Sequence, residues 1–197
     1  MNTLTILYLH GLTSSYMSSC GRFLRDLLPK DHILTPDIPL DAHEALHFLS
    51  DIVNREEPDV IIGSSMGGFF AHQLPAKKKI LINPAFTTSE VMGRYKGLRL
   101  RFYHERFDPD EEDFEVTEDL LLSYVEVESE QWKRISEKDI EATFGIFSLQ
   151  DEVIKQDDLF DKYYRNKIYI EAMHQLSYEE VEAYVIPEIE HFRLCQK

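Results

Sequence analysis

Ser65 lies in Gly63-Ser64-Ser65-Met66-Gly67-Gly68, a G-x-S-x-G spacing with the apolar run Asp59–Ile62 before it and helix-compatible Phe69–Leu74 after it. Strand first and helix second is the context in which this pattern forms a nucleophile elbow. So sharp a turn brings backbones together at Gly63 and Gly67, where a Cβ would collide, and it lifts the Ser65 hydroxyl clear of the sheet. The following helix turns its N-terminus, and with it the Met66 N–H, toward the place where an oxyanion would form. A serine hydroxyl is a weak nucleophile until a base takes its proton and an acid orients that base. His174 follows the last apolar run, Lys167–Ile170, and Asp151 follows the run before it, with room between them for one helix and one strand. All three then meet at one sheet edge in the chain order Ser…Asp…His, a set suited to acyl transfer through a covalent serine intermediate.

Each assignment has a plainer counterpart. An Asp after a strand is also an ordinary turn or helix cap, and Glu152, Asp157 and Glu171 are other acids within reach. His174 read blandly is a satisfied loop histidine, while His72 and His191, in helical segments, read as packing or surface residues. His10-Gly11-Leu12 ends the first strand. Gly11 permits close backbone approach, the Leu12 N–H is the second expected oxyanion donor, and His10 is expected to bond backbone beneath the site. Gly11 and Thr13 are expected to touch substrate from the loop over the site, although a polar turn through Thr13, Ser14 and Ser15 would look the same. After Asn83-Pro84, a pair suited to fixing a loop exit, Phe86 is expected to floor an apolar acyl pocket.

The positioning elements read as alternating β and α. Leu4–Leu9, His32–Thr35, Val60–Ile62, Lys79–Ile82, Ala142–Ser148 and Lys167–Ile170 are near-continuously apolar, as strands buried on both faces of a parallel sheet are. Ser18–Leu28, Asp41–Arg55, Phe69–Leu74, Asp157–Tyr164 and Ser177–Cys195 read as helices between and after them. Asp41 is placed to cap its helix, whose apolar residues Ala42, Ala45, Leu46, Leu49, Ile52 and Val53 fall on one face. The class is α/β, about six mostly parallel strands flanked by helices, and in such sheets sites form beyond the carboxyl ends of the strands. Residues 86–140 break the rhythm and are expected to form an inserted cap of two or three helices within a single domain spanning 1–197.

The net charge of −15 excludes a phosphate-backbone surface, so no nucleic-acid partner is expected. No run approaches a membrane span, and the first residues lack a signal-peptide pattern. Cys20 and Cys195, at opposite ends of the chain, are expected to be free thiols in a reducing compartment, the cytoplasm. The charge is uneven: a basic stretch, Ser89 to Phe107, precedes an acidic block, Asp108 to Glu130. The two either pair with each other or leave the basic stretch to draw an anionic leaving group.

The quoted pieces, together with Leu7-Tyr8-Leu9-His10-Gly11, Gly68-Phe69-Phe70-Ala71, Asn83-Pro84-Ala85 and Gln150-Asp151-Glu152-Val153, resemble the α/β-hydrolases. Within that superfamily the chain is similar to the small bacterial esterases of the YqiA type (UPF0227), in the same order over nearly its whole length. The resemblance implies a compact α/β-hydrolase fold with an insertion after the fourth strand, Ser65 as nucleophile, Asp151 as acid and His174 as base. It implies cleavage of a small-molecule ester or thioester, with no cofactor or metal. The same residues would serve acyl transfer to another acceptor, and a non-catalytic scaffold would bind a ligand in the same cleft.

Overall fold

The computed structural model describes residues 2–196; Met1 and Lys197, the two ends of the expected 1–197 domain, lie outside the described residues. Six strands form one parallel sheet: β1 (Thr5–Leu9), β2 (His32–Leu34), β3 (Val60–Ser64), β4 (Lys78–Ile82), β7 (Thr143–Ser148) and β8 (Asn166–Ile170), in the order β2-β1-β3-β4-β7-β8. Their continuous apolar runs are explained by the two layers they separate. Leu7, Leu9, Ile61 and Leu81 face one core cluster, while Ile6, Tyr8, Val60, Ile62, Ile80 and Ile82 face the other. With a side-chain period of two and both faces covered, most positions of the inner strands are apolar.

Helix α1 (Ser19–Leu27) and the C-terminal helices cover the second face; α2 (Ala42–Glu56) and α3 (Met66–Ala71) cover the first. Asp41 caps α2 as expected, its carboxylate accepting from the His43 and Glu44 amides at 2.9 and 3.1 Å. From β1 the chain goes out to β2 and returns to β3 on the other side of β1, so the connections leaving β1 and β3 diverge. That divergence is the topological switch point at which open α/β sheets hold their ligands.

Between β4 and β7 the chain forms α4 (Thr88–Gly93), β5 (Arg99–Arg101), β6 (Asp113–Glu115), α5 (Glu118–Glu130) and α6 (Glu137–Ala142). The three helices agree with expectation; the antiparallel pair β5–β6 does not. Leu100 opposite Phe114 supplies the inward positions, flanked by Arg99 and Arg101 facing Glu115 and Asp113, an alternation too short to stand out among so many charges. Here the basic stretch meets the acidic block. Arg99 pairs with Asp113, Arg101 with Glu112 at 3.3 Å, Lys96 with Glu118 at 3.3 Å and Arg106 with Glu111 at 2.6 Å. Mutual pairing is therefore the use the structure makes of most of the basic stretch.

After α7 (Asp157–Asp161) and β8, the expected helix Ser177–Cys195 is realised as α8 (Tyr178–Glu180), a π-helical turn Val181–Val185, and α9 (Ile186–Cys195). The wide turn ends at Val185, two residues before Pro187, whose ring would strike the carbonyl a regular turn back.

Buried polar groups tie the β4–β7 segment to the sheet. Lys79, 1% exposed, donates to Asp139 of α6 at 2.8 Å and to the His72 carbonyl at 3.1 Å. His72 donates from Nε2 to Gln131 Oε1 at 2.9 Å, and its Nδ1 accepts from the Tyr164 hydroxyl at 3.2 Å. Burial, more than the neighbouring Lys79 charge, pushes the His72 imidazole down to about 3, despite the opposing Gln131 hydrogen bond. The folded chain therefore keeps His72 neutral where the unfolded chain protonates it, and stability falls as pH drops from about 6.5 toward 4. Each such histidine contributes about 1.4 kcal/mol per pH unit in that window. His72→Gln is expected to flatten the dependence of unfolding free energy on pH between 6.5 and 4 by about that slope, measured by denaturant titration. A variant with the wild-type slope would mean that His72 is not held neutral.

Candidate active site

Ser65 follows β3 directly and precedes the first residue of α3. Its backbone adopts φ 56°, ψ −120°, a conformation that side-chain-bearing residues rarely occupy and that costs about 1–3 kcal/mol. Surrounding hydrogen bonds hold it there: the Ser65 amide donates to Ile82 O at 2.9 Å, and its carbonyl accepts from Gly68 and Ala85 at 2.9 and 3.0 Å. The glycines are required by contact. A Cβ on Gly63 would sit 2.3 Å from Gly67 O, and one on Gly67 would sit 2.0 Å from Leu9 O. Gly11 lies against the serine from the β1 side, where its own Cβ would be 3.3 Å from Ser65 Cβ and 3.8 Å from Ser65 Oγ.

The acid and the histidine come together by strand pairing that continues past the sheet. Beyond β7 and β8, Leu149 N donates to Ile170 O at 2.9 Å and Gln150 N to Ala172 O at 3.1 Å, so the two loops run side by side. His174 Nδ1 then meets Asp151 Oδ2 at 2.7 Å. Asp151 is 1% exposed, and its other oxygen accepts from the Val153 and Ile154 amides at 2.7 and 2.9 Å. Burial alone would raise this carboxyl. The His174 hydrogen bond, with the two amides, outweighs it and holds Asp151 below the ordinary carboxylate range. An ionised Asp151 accepts only, so His174 carries its proton on Nδ1 and leaves Nε2 as an acceptor. Among the described residues no hydrogen bond joins Ser65 Oγ to His174. Of the other acids, Glu171 is exposed and accepts from Gln150 at 3.2 Å rather than meeting His174.

The loop after β1 supplies the other side. Neither the Leu12 nor the Met66 amide is engaged among the described hydrogen bonds, so both remain available as donors. Thr13 turns through φ 60°, its hydroxyl donating to Leu12 O at 2.6 Å and its carbonyl accepting from Tyr103 N at 2.8 Å, which ties the β4–β7 segment to this loop. Beneath lies His10, 2% exposed, donating from Nδ1 to Gly11 O at 2.8 Å and accepting at Nε2 from Ile38 N at 3.2 Å. Burial drives His10 down to about 4, so it is a neutral brace with both ring nitrogens used, as expected.

The expected pocket residue Phe86 does not belong to an open surface. It is fully buried, with its ring 5.1 Å from His72 and 5.0 Å from Trp132, because the chain leaving Pro84 turns down into the core under α3. A cleft of about 550 Å³ lies between α4 and the loop after Asp151, lined by Thr87, Arg94, Val153, Ile154 and Gln156 among others and by neither Ser65 nor His174. Among the described residues no group of three or more His, Cys, Asp or Glu side chains is placed to hold a metal ion, and no helix is long and apolar enough to cross a membrane. Cys20 and Cys195 are not bonded to each other.

The profile described as "Uncharacterised protein family (UPF0227)" matches residues 5–193. Among solved structures, the methylesterase MES16 from Arabidopsis superposes with a TM-score of 0.64 at 13% identity, covering 96% of this chain and 100% of its own. The α/β hydrolase MGS-MChE2, from a metagenome of lagoon sediments at Mar Chica, Morocco, gives 0.61 at 15% identity over 100% of this chain and 93% of its own. Est1E from Butyrivibrio proteoclasticus gives 0.62 at 16% identity over 99% and 88%, and a second structure of that protein holds ferulic acid. At these identities the likeness shows the α/β-hydrolase fold, the six-stranded sheet flanked by helices seen here.

Proposed function

Since the chain belongs to the UPF0227 family, whose description assigns no activity, we propose from its own site that it is a serine hydrolase cleaving a carboxylic ester or thioester. One observation carries the reading: the buried Asp151 holds His174 through Nδ1 at 2.7 Å, at the sheet edge where Ser65 stands on its strained turn. That arrangement leaves an imidazole with a free Nε2, which is what a serine nucleophile needs.

In the proposed reaction Ser65 Oγ attacks the carbonyl carbon as its proton passes to His174 Nε2. The Leu12 and Met66 amides hold the oxygen that becomes negative, and Asp151 stabilises the imidazolium. Collapse expels the alcohol or thiol, which takes the proton from His174 and leaves an acyl group on Ser65. Water, deprotonated by His174, then attacks the acyl carbon, and His174 returns that proton to Ser65 Oγ as the acid leaves. The open Ser65–His174 contact is in keeping with this, because such hydrogen bonds tighten only when substrate is bound. The β4–β7 segment is read as a cap, tied through Tyr103 to the Thr13 loop. Esterases with this fold, including the one that binds ferulic acid, support an ester as the substrate class.

The test is steady-state hydrolysis of p-nitrophenyl acetate by wild type and Asp151→Asn. An amide at 151 cannot fix the Nδ1–H tautomer, so kcat is expected to fall about 10³–10⁴-fold while the fold is kept. An unchanged kcat would remove Asp151 from the mechanism.

A further inference from the structure

Asn83 follows β4, has φ 43° and is 2% exposed. Its side chain reaches two loops at once. Nδ2 donates to Ser148 Oγ at 2.9 Å and to the His174 carbonyl at 3.0 Å, while Oδ1 accepts from the Ser148 amide at 2.8 Å. Ser148 ends β7, and its carbonyl accepts from the Asp151 amide at 3.2 Å, so it is the first residue of the acid's turn. Two positions after Asn83, the Ala85 amide donates to the Ser65 carbonyl at 3.0 Å. A single buried carboxamide thus joins the ends of β4 and β7 to the loop after β8, and every hydrogen on its nitrogen has an acceptor. Asn is among the few side-chain-bearing residues that readily adopt this left-handed backbone, and the only one of comparable size with both a fork of donors and an acceptor there.

We infer that Asn83 is a positioning residue that sets the register of the His174 loop against Asp151 and Ser65. The inference rests on the proposed Ser65–His174–Asp151 mechanism. Asp151 fixes the direction of the imidazole ring and the backbone bonds align the two loops only as far as Ala172; the bond from Asn83 holds the backbone at His174 itself. The loop carrying Gly11, Leu12 and Thr13 has no bond to Asn83, so substrate binding should be unaffected by its loss. A 1 Å displacement of a reacting group costs about 100-fold in rate, which bounds the expected effect.

The experiment compares wild type, Ser65→Ala, Asn83→Asp, Asn83→Gly and Ser148→Ala for kcat and KM on p-nitrophenyl acetate, well below each variant's melting temperature. Asn83→Asp keeps the acceptor and loses both donors; Asn83→Gly relieves the backbone and loses the whole side chain. Both are expected to lower kcat about 10–100-fold with KM within about threefold. Ser148→Ala removes one acceptor and spares the bond to His174, so its kcat should stay within about threefold of wild type. Should Asn83→Asp not fold, Asn83→Gly carries the same comparison. Wild-type kcat in the folded Asn83 variants would overturn the inference, as would an equal loss in Ser148→Ala, which would signal general loosening. If Ser65→Ala matches wild type, it is the triad mechanism that fails, and the inference falls with it.

Discussion

Ser65→Ala is expected to lower kcat for ester hydrolysis about 10⁴–10⁶-fold, leaving only the turnover that the two amide donors and binding supply. The protein should fold as before, since alanine keeps the Cβ and only Oγ is lost. Ser65→Gly separates activity from stability more sharply. Ser65 sits at φ 56°, ψ −120°, where glycine is at ease and every other residue is strained. Glycine there should abolish turnover yet raise stability by about 1 kcal/mol, a rise in melting temperature of about 2–4 °C for a chain this long. Loss of activity with gain of stability is the mark of strain held for function. A Ser65→Gly protein that melts below wild type would show that this turn stores none.

Gly67→Ala is expected to cause the largest loss of stability of any single methyl addition considered. The added Cβ would stand 2.0 Å from Leu9 O, 2.5 Å from Leu9 C and 2.8 Å from His10 O, all of them backbone atoms. No rotamer change relieves that overlap, so α3 must lift off β1 and carry the Met66 amide with it. A cost above about 4 kcal/mol follows, on the scale of severe overpacking against an unyielding neighbour. Gly93→Ala is the control: nothing lies within 4 Å of its Cβ, and it ends α4, so alanine should be neutral or gain about 0.5–1 kcal/mol. Thermal unfolding of the two variants beside wild type decides. Equal melting of Gly67→Ala and wild type would mean that α3 does not approach β1 as described.

What could be read from residues alone follows the reach of each signal. The inner strands β1, β3 and β4 were the most legible because burial on both faces makes them near-continuous apolar runs, and the turn at Ser65 because its glycines have a steric cause. The strand-end positions of Asp151 and His174 were legible from alternation of strand and helix. Less local features were not. The β5–β6 pair is three residues a side and mostly charged, so its alternation hides in the charge pattern. Phe86 reads as a pocket aromatic until the direction of the chain after Pro84 is known. The several bonds of Asn83 depend on β4 lying beside β7 and β7 beside β8, a neighbour relation that no residue spacing announces. The tautomers of His10 and His174 likewise follow from which atoms face them, not from their neighbours in the chain.

The most direct test of the central claim is the intact mass of the protein after exposure to a fluorophosphonate, with wild type and Ser65→Ala in parallel. One adduct is expected on wild type, none on Ser65→Ala, and slow labelling of His174→Ala, because the serine is reactive only with its base. A wild type that stays unlabelled, or a Ser65→Ala protein that labels as fast as wild type, would contradict an activated serine at position 65.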